Sequence, residues 1–166
     1  MLATIGGEFV RLSLPDQVDL ALKYPSPERP AARFNRLGER ALYLSPDELS
    51  ARVAIGEYVR EDDPSRVLVT YKVAPCTVLD LRHPDAAYLY MSAREPWQSA
   101  LSRGEAPSSW AAADAIRAMP EISGLIDPSR RRPGLWHVTL FRWNEQSAPT
   151  VQQIGVGAPI KLPVGF

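Results

Sequence analysis

The chain has 166 residues, 45% of them apolar, which is enough for one hydrophobic core and short for two. Its 19 Lys and Arg residues balance 19 Asp and Glu residues, so no global field draws it to nucleic acid or an anionic membrane. A single cysteine, Cys76, excludes an internal disulfide, and no apolar run approaches the roughly 18 residues of a membrane span. The first residues lack a basic segment followed by an apolar run, which makes a cytoplasmic protein without secretory signal the expectation. The basic residues cluster locally only at Arg130, Arg131 and Arg132.

In chain order, residues 8–14 alternate apolar and polar, the period of a half-buried strand. Ser13, Leu14 and Pro15 then open a short helix over residues 16–22. Pro25, Pro27 and Pro30 make residues 23–32 a loop, and Gly38 marks a tight turn. Residues 41–44 read as a buried strand. Ser45-Pro46-Asp47-Glu48 carries a helix-start signature, with serine as the cap, proline at the first position and a carboxylate three residues on. That pattern predicts a helix to about Arg60. Residues 66–73 and 77–81 are the clearest strands. Helices follow at 97–101 and 109–119, the second capped by Ser108 or Ser109. A short apolar stretch at 122–126 precedes a firm strand at 135–143. Strands and helices mix without the regular alternation of a doubly wound parallel sheet, so the class is α+β in a single domain. The four tryptophans and the apolar tail at 151–166 predict exposed apolar surface, and with it a partner or self-association, such as a homodimer.

There is no Gly-rich phosphate loop, HExxH helix or paired CxxC. With two histidines, His83 and His137, a His-rich metal site cannot be built. His83 precedes a proline and reads as a solvated loop residue, and Cys76 as a buried structural thiol. The polar residues that stand out lie at strand ends. Arg33 follows the proline-rich loop, and Tyr43 sits in the apolar Ala41-Leu42-Tyr43-Leu44. Glu57 follows the small residues Ala54 and Gly56, and Ser129 lies in Asp127-Pro128-Ser129-Arg130. Each also has a plainer reading: a solvated arginine, a core aromatic, a solvent-facing glutamate and a turn serine.

The run Ala32-Arg33-Phe34-Asn35, then Gly38, Ala41-Leu42-Tyr43-Leu44, Ser45-Pro46 and a helix ending in a glutamate resembles the first half of the RES domain. That family is named for an arginine, a glutamate and a serine. Gly124-Leu125-Ile126-Asp127-Pro128-Ser129-Arg130, followed by Val138-Thr139-Leu140-Phe141, is similar to its second signature. The ordered set is more specific than any one motif. The resemblance implies an ADP-ribosyltransferase-like fold in one domain over residues 1–166. It implies a toxin of a bacterial toxin–antitoxin pair that cleaves NAD+ by hydrolysis or phosphorolysis, or transfers its ADP-ribose to protein, with an Xre-type antitoxin as partner. Nucleic acid enters this picture only through the antitoxin. By the same resemblance, Arg33, Tyr43, Ser129 and Arg130 would hold NAD+, and Glu57, Tyr43 and Ser129 would serve catalysis, with no metal.

These residue types suit that chemistry. Breaking the nicotinamide–ribose bond develops positive charge on the ribose, which a carboxylate such as Glu57 stabilises. An arginine forks onto pyrophosphate oxygens, the task for Arg33, with Arg130 adding charge. The ring of Tyr43 can stack on nicotinamide, and the Ser129 hydroxyl can donate to phosphate or ribose. Aligned without gaps, however, the helix puts Arg52 in the glutamate's place, and only a small insertion gives Glu57 that role. With Arg52 there, the chain would be a degenerate binding module. His137 stands where an asparagine is usual.

Overall fold

The computed structural model describes residues 1–165. Its two longest strands form a spine. β1 (Leu2–Ser13) runs antiparallel to β3 (Arg66–Asp80), from Leu2 opposite Leu79 to Ser13 opposite Val67. β3 is one strand where the sequence predicts two. Pro75, which has no N–H to give, lies in a stretch where the partner strand slips register between Ile5 and Gly7. Gly7 takes a φ of 105°, which glycine reaches without the Cβ penalty, and Gly6 leaves room for the backbone of Pro75. That accommodation lets β1 begin at Leu2, well before the alternating segment at 8–14.

On its other edge β3 meets two partners in turn. Its first half pairs antiparallel with β6 (Val151–Ile160), and Leu79 and Asp80 pair parallel with β4 (Gly124–Pro128). β4 continues antiparallel to β5 (Trp136–Leu140), and β5 to β2 (Leu42–Leu44). Just past β2, Ser45 and Val10 exchange both backbone hydrogen bonds at 2.8 Å, so the path β1-β3-β4-β5-β2 returns to β1. A mixed six-stranded sheet with short helices is the α+β architecture the sequence predicts.

The helices are shorter than their sequence patterns. α1 (Glu48–Ile55) is capped by Asp47, whose carboxylate accepts from the Ser50 N–H at 2.7 Å, because Ser45 is already held in the bridge to β1. A 3-10 turn at Gly56–Tyr58 ends the helical run before Arg60, and residues 16–22 are likewise a 3-10 turn, Pro15–Leu20. α2 (Ala87–Ala93) has no counterpart among the predicted elements, while α3 (Trp97–Ser102) and α4 (Ser108–Arg117) do. Neither Ser108 nor Ser109 caps α4. Ser108 Oγ donates to the Ser92 carbonyl at 2.8 Å, and Ser109 Oγ to that of Arg33.

Three apolar clusters hold these parts. Phe9, Val69, Tyr71, Leu140 and Trp143 fill the interior of the sheet. Leu79, Leu89, Ile116 and Phe141 join α2 and α4 to it. Leu12, Ala51, Val59 and Leu162 clamp α1 and the tail to β1. The tryptophans do not supply the exposed surface predicted from them, since Trp143 is buried and Trp97, Trp110 and Trp136 are half-buried. The tail divides: Val151 and Leu162 are buried, whereas Ile154, Val156 and Val164 are exposed. Phe166, the last residue of that predicted patch, lies outside the described residues. No helix among the described residues is long and apolar enough to cross a membrane.

Candidate functional site

A cleft of about 380 Å³ opens between the outer half of β1, the loop before β2, and α1 with its following 3-10 turn. Strand register builds its floor. Tyr43 lies opposite Thr139 and Asp127 opposite His137, and the alternation of strands puts Tyr43, Ser45, His137, Thr139 and Asp127 on one face. A second cavity of about 250 Å³ adjoins it, sharing Arg33, Glu57, Trp97 and Arg130 and adding Arg94.

Arginines dominate the cleft's charge. Arg33 donates to the carbonyls of Ala93 at 3.3 Å and Glu95 at 3.2 Å, and has no carboxylate within ion-pair distance among the described residues. Burial and the neighbouring Arg130 lower its pKa. Arg130 grips Asp127 with two hydrogen bonds of 2.7 and 2.9 Å and also donates to Ala93 at 2.8 Å. Burial pushes the Asp127 carboxyl up from its ordinary value, opposed by Arg130 and Arg33. This fork leaves Arg130 largely neutralised.

Arg11 also lines the cleft, and sequence reasoning passed over it. Its Nη1 donates to the Tyr43 carbonyl at 3.2 Å, and its Nε is buried without a partner. Burial lowers its pKa, and only tyrosines oppose that effect. The signal was in the alternation: Phe9, Arg11 and Ser13 share one side of β1, so a cation stands on the inward face of a strand.

Tyr43 contributes a ring and not a free hydroxyl. Its Oη donates to Asn35 Oδ1 at 2.7 Å and accepts from the Phe34 N–H at 3.0 Å, and its ring stacks on Phe34 with centroids 6.5 Å apart. Burial raises its pKa. Asn35 in turn donates to Pro30 and Arg36 carbonyls, both at 2.9 Å, so Tyr43 anchors the turn that carries Arg33. Glu57 stands exposed on the Gly56–Tyr58 turn at the cleft wall, near Trp97, whose Nε1 donates to Tyr58 Oη at 3.4 Å. Ser129 lies at the far rim, its Oγ accepting from the Arg132 N–H at 3.2 Å. Arg52 is not part of the lining and pairs with Glu48 at 3.5 Å along α1. The fold thus brings Arg33, Tyr43, Glu57, Ser129 and Arg130 to one cleft, and it leaves Arg52 outside.

The family model of the RES domain matches residues 8–163. The chain belongs to the RES family. Among solved structures, this RES domain is similar to one described as the crystal structure of the M. tuberculosis MbcT–MbcA toxin–antitoxin complex. The TM-score is 0.60 at 16% identity, covering 92% of this chain and 86% of that one, a likeness of fold. Comparison with curated protein sequences gives no match.

Two further residues of this RES domain sit beneath the cleft's charged rim. His137 Nδ1 lies 3.1 Å from Ser45 Oγ, and burial together with Arg130 lowers its pKa to about 4, so the ring is neutral at physiological pH. The Cys76 thiol, pushed up by burial, and the exposed loop residue His83 lie outside the lining. Among the described residues no three His, Cys, Asp or Glu side chains converge as a metal site requires. Chemically, the arrangement offers two guanidiniums without carboxylates, one exposed carboxylate across the opening, and aromatic rings between them. Such a site suits an elongated anion whose reactive centre becomes cationic.

Proposed function

We propose that this RES protein is the toxin of a toxin–antitoxin pair and cleaves NAD+ at the nicotinamide–ribose bond. The observation that carries the reading is the charge pattern of the cleft. Among the described residues, Arg11 and Arg33 line it with no carboxylate partner and Glu57 stands at its wall making no ion pair. A pyrophosphate supplies the anion that two half-buried guanidiniums otherwise lack, at the cost of leaving water. The rings of Tyr43, Tyr58 and Trp97 give a flat base or nicotinamide a surface to stack on.

In the reaction, the bond from ribose C1′ to the nicotinamide nitrogen breaks, and nicotinamide leaves with the electron pair. Glu57 stabilises the oxocarbenium-like ribose, and water or inorganic phosphate adds to C1′. With water, Glu57 accepts the released proton and the product is ADP-ribose; with phosphate, the product is its 1-phosphate. Ser129 at the rim has a hydroxyl free to donate to ribose or phosphate. A second reading, transfer of ADP-ribose to a protein side chain, is favoured by the exposure of Glu57, where an outside nucleophile can approach. The fold likeness to a toxin–antitoxin complex supports an antitoxin partner, for which we propose the Xre type, and a cytoplasmic setting where NAD+ is abundant.

The test is nicotinamide release from NAD+ by the purified protein, with and without phosphate, beside Glu57→Gln. Release that falls at least 100-fold in the variant supports the assignment, in line with the ~10²–10⁴-fold contributions of such groups. Phosphate dependence identifies the acceptor. A folded wild-type protein that neither binds nor cleaves NAD+ refutes the reading, and binding without cleavage points to a degenerate module.

A further inference from the structure

We propose that His137 and Ser45 form an uncharged hydrogen-bonding pair on the cleft floor, in which His137 Nε2–H positions a ribose hydroxyl or the carboxamide carbonyl of the bound dinucleotide and not its phosphates. The inference rests on the NAD+ reading and adds to it a residue that sets which part of the ligand lies where.

The Ser45 side decides the tautomer. Its backbone N–H and C=O are both used in the bridge to Val10, and its residue surface is 4% exposed. Its hydroxyl has one hydrogen-bond partner among the described residues, His137 Nδ1 at 3.1 Å. A buried hydroxyl proton without an acceptor costs about 1–3 kcal/mol, so Ser45 donates to Nδ1. A neutral imidazole accepting at Nδ1 carries its own proton on Nε2, an assignment made from the hydrogen-bond network. Nε2 has no partner among the described residues, and His137 is part of the cleft lining. The fold therefore leaves this neutral donor on the cleft floor available to a ligand.

The surroundings decide what that donor reads. The charged groups that act on His137 are Arg130 and Asp47. Arg130 is spent on Asp127, and Asp47 on the N-terminus of α1. The neighbours on the same face are the uncharged Tyr43, Ser45 and Thr139, together with Asp127 opposite His137, whose two carboxylate oxygens are held by Arg130. An imidazolium is disfavoured by burial and by Arg130. A phosphate in the same cleft finds full positive charge at Arg11 and Arg33, and it gains less from a neutral N–H. The phosphates thus go to the arginines, and an uncharged oxygen goes to His137.

Two substitutions separate the ring's two nitrogens. His137→Asn keeps a polar atom near Nδ1 for Ser45 and removes the donor at Nε2. His137→Gln reaches the Nε2 position with an amide N–H. Affinity for NAD+ is measured by calorimetry, and kcat and KM by nicotinamide release, with thermal unfolding as a control on folding. His137→Asn is expected to weaken binding about 10-fold, the size of one hydrogen bond to a ligand, with His137→Gln recovering most of that loss. In the wild type, ¹⁵N NMR of the imidazole should show the proton on Nε2 and a shift of that resonance with NAD+ but not with inorganic pyrophosphate. Equal affinities in the two variants, or a proton on Nδ1, overturn the proposal while leaving NAD+ cleavage intact. A wild type that neither binds nor cleaves NAD+ overturns both.

Discussion

Tyr43 shows how one side chain serves the fold and the site together. Its hydroxyl ties Asn35 and the Phe34 N–H, so the turn bearing Arg33 hangs from β2. Replacing it by phenylalanine keeps the ring and strands two buried partners. Tyr43→Phe is expected to cost about 1–3 kcal/mol in urea unfolding. A change below about 0.5 kcal/mol would mean that water replaces the hydroxyl and that the turn does not depend on it. At this scale the sequence was legible where motifs run in order: Arg33, Tyr43, Glu57, Ser129 and Arg130 all reach the cleft. It was not legible for Arg11, whose neighbours in the chain are an ordinary amphipathic strand. Nor was it legible for Asp127, visible in the sequence only as the residue before a turn proline. Their roles come from strand pairing between β1, β3, β4 and β5, which no local pattern encodes.

Among the elements, β4 carries the tightest constraint. A Cβ on Gly124 would stand 2.0 Å from the Thr139 carbonyl oxygen and 2.9 Å from Leu140 Cα, backbone atoms of the neighbouring strand that cannot yield. Gly124→Ala should push β4 away from β5 and cost about 3 kcal/mol, with the cleft floor disturbed through Thr139. An unaltered denaturation midpoint would show that the strands separate freely. The tail is held by a different contact. Leu162, 5% exposed, packs with Leu12, Ala51 and Val59 beneath α1, so Leu162→Ala should lose about 2–5 kcal/mol. If the loss is negligible, β6 and not the residues after it secures the tail. Sequence patterns read these elements unevenly, and the reasons are physical. Residues 66–73 and 77–81 read as two strands because the bulged partner that carries β3 past Pro75 belongs to β1, which no local pattern shows. β6 escaped because an exposed edge strand rich in glycine has no buried face to impose alternation. Ser45 matched a cap signature, yet the bridge to Val10 claimed it first.

Over the whole molecule, the response to acid separates two kinds of group. The partners Arg82 and Arg36 hold Asp80 and Asp114 below the usual carboxylate range. Their contributions are full above about pH 4 and fade as pH falls through the depressed folded values. Asp127 has the opposite sign, because burial raises its carboxyl and so favours the protonated form in the folded state. His137 acts in a higher window. Unfolded, its imidazole takes a proton near pH 6.5; folded, it stays neutral down to about 4. The unfolded chain therefore binds the extra proton between those values. The stability that neutral His137 contributes is complete above about pH 6.5 and is lost as pH falls through about 4. Comparing the wild type with His137→Asn cancels the carboxylates common to both. Urea unfolding from pH 7 to pH 4 should show the wild type losing on the order of 2 kcal/mol relative to the variant, after allowance for the ring's partial exposure. Parallel curves would mean that the folded imidazole takes its proton near pH 6.5 as the unfolded one does, and the floor of the cleft would then gain, below that pH, a charge that repels Arg130 and attracts phosphate.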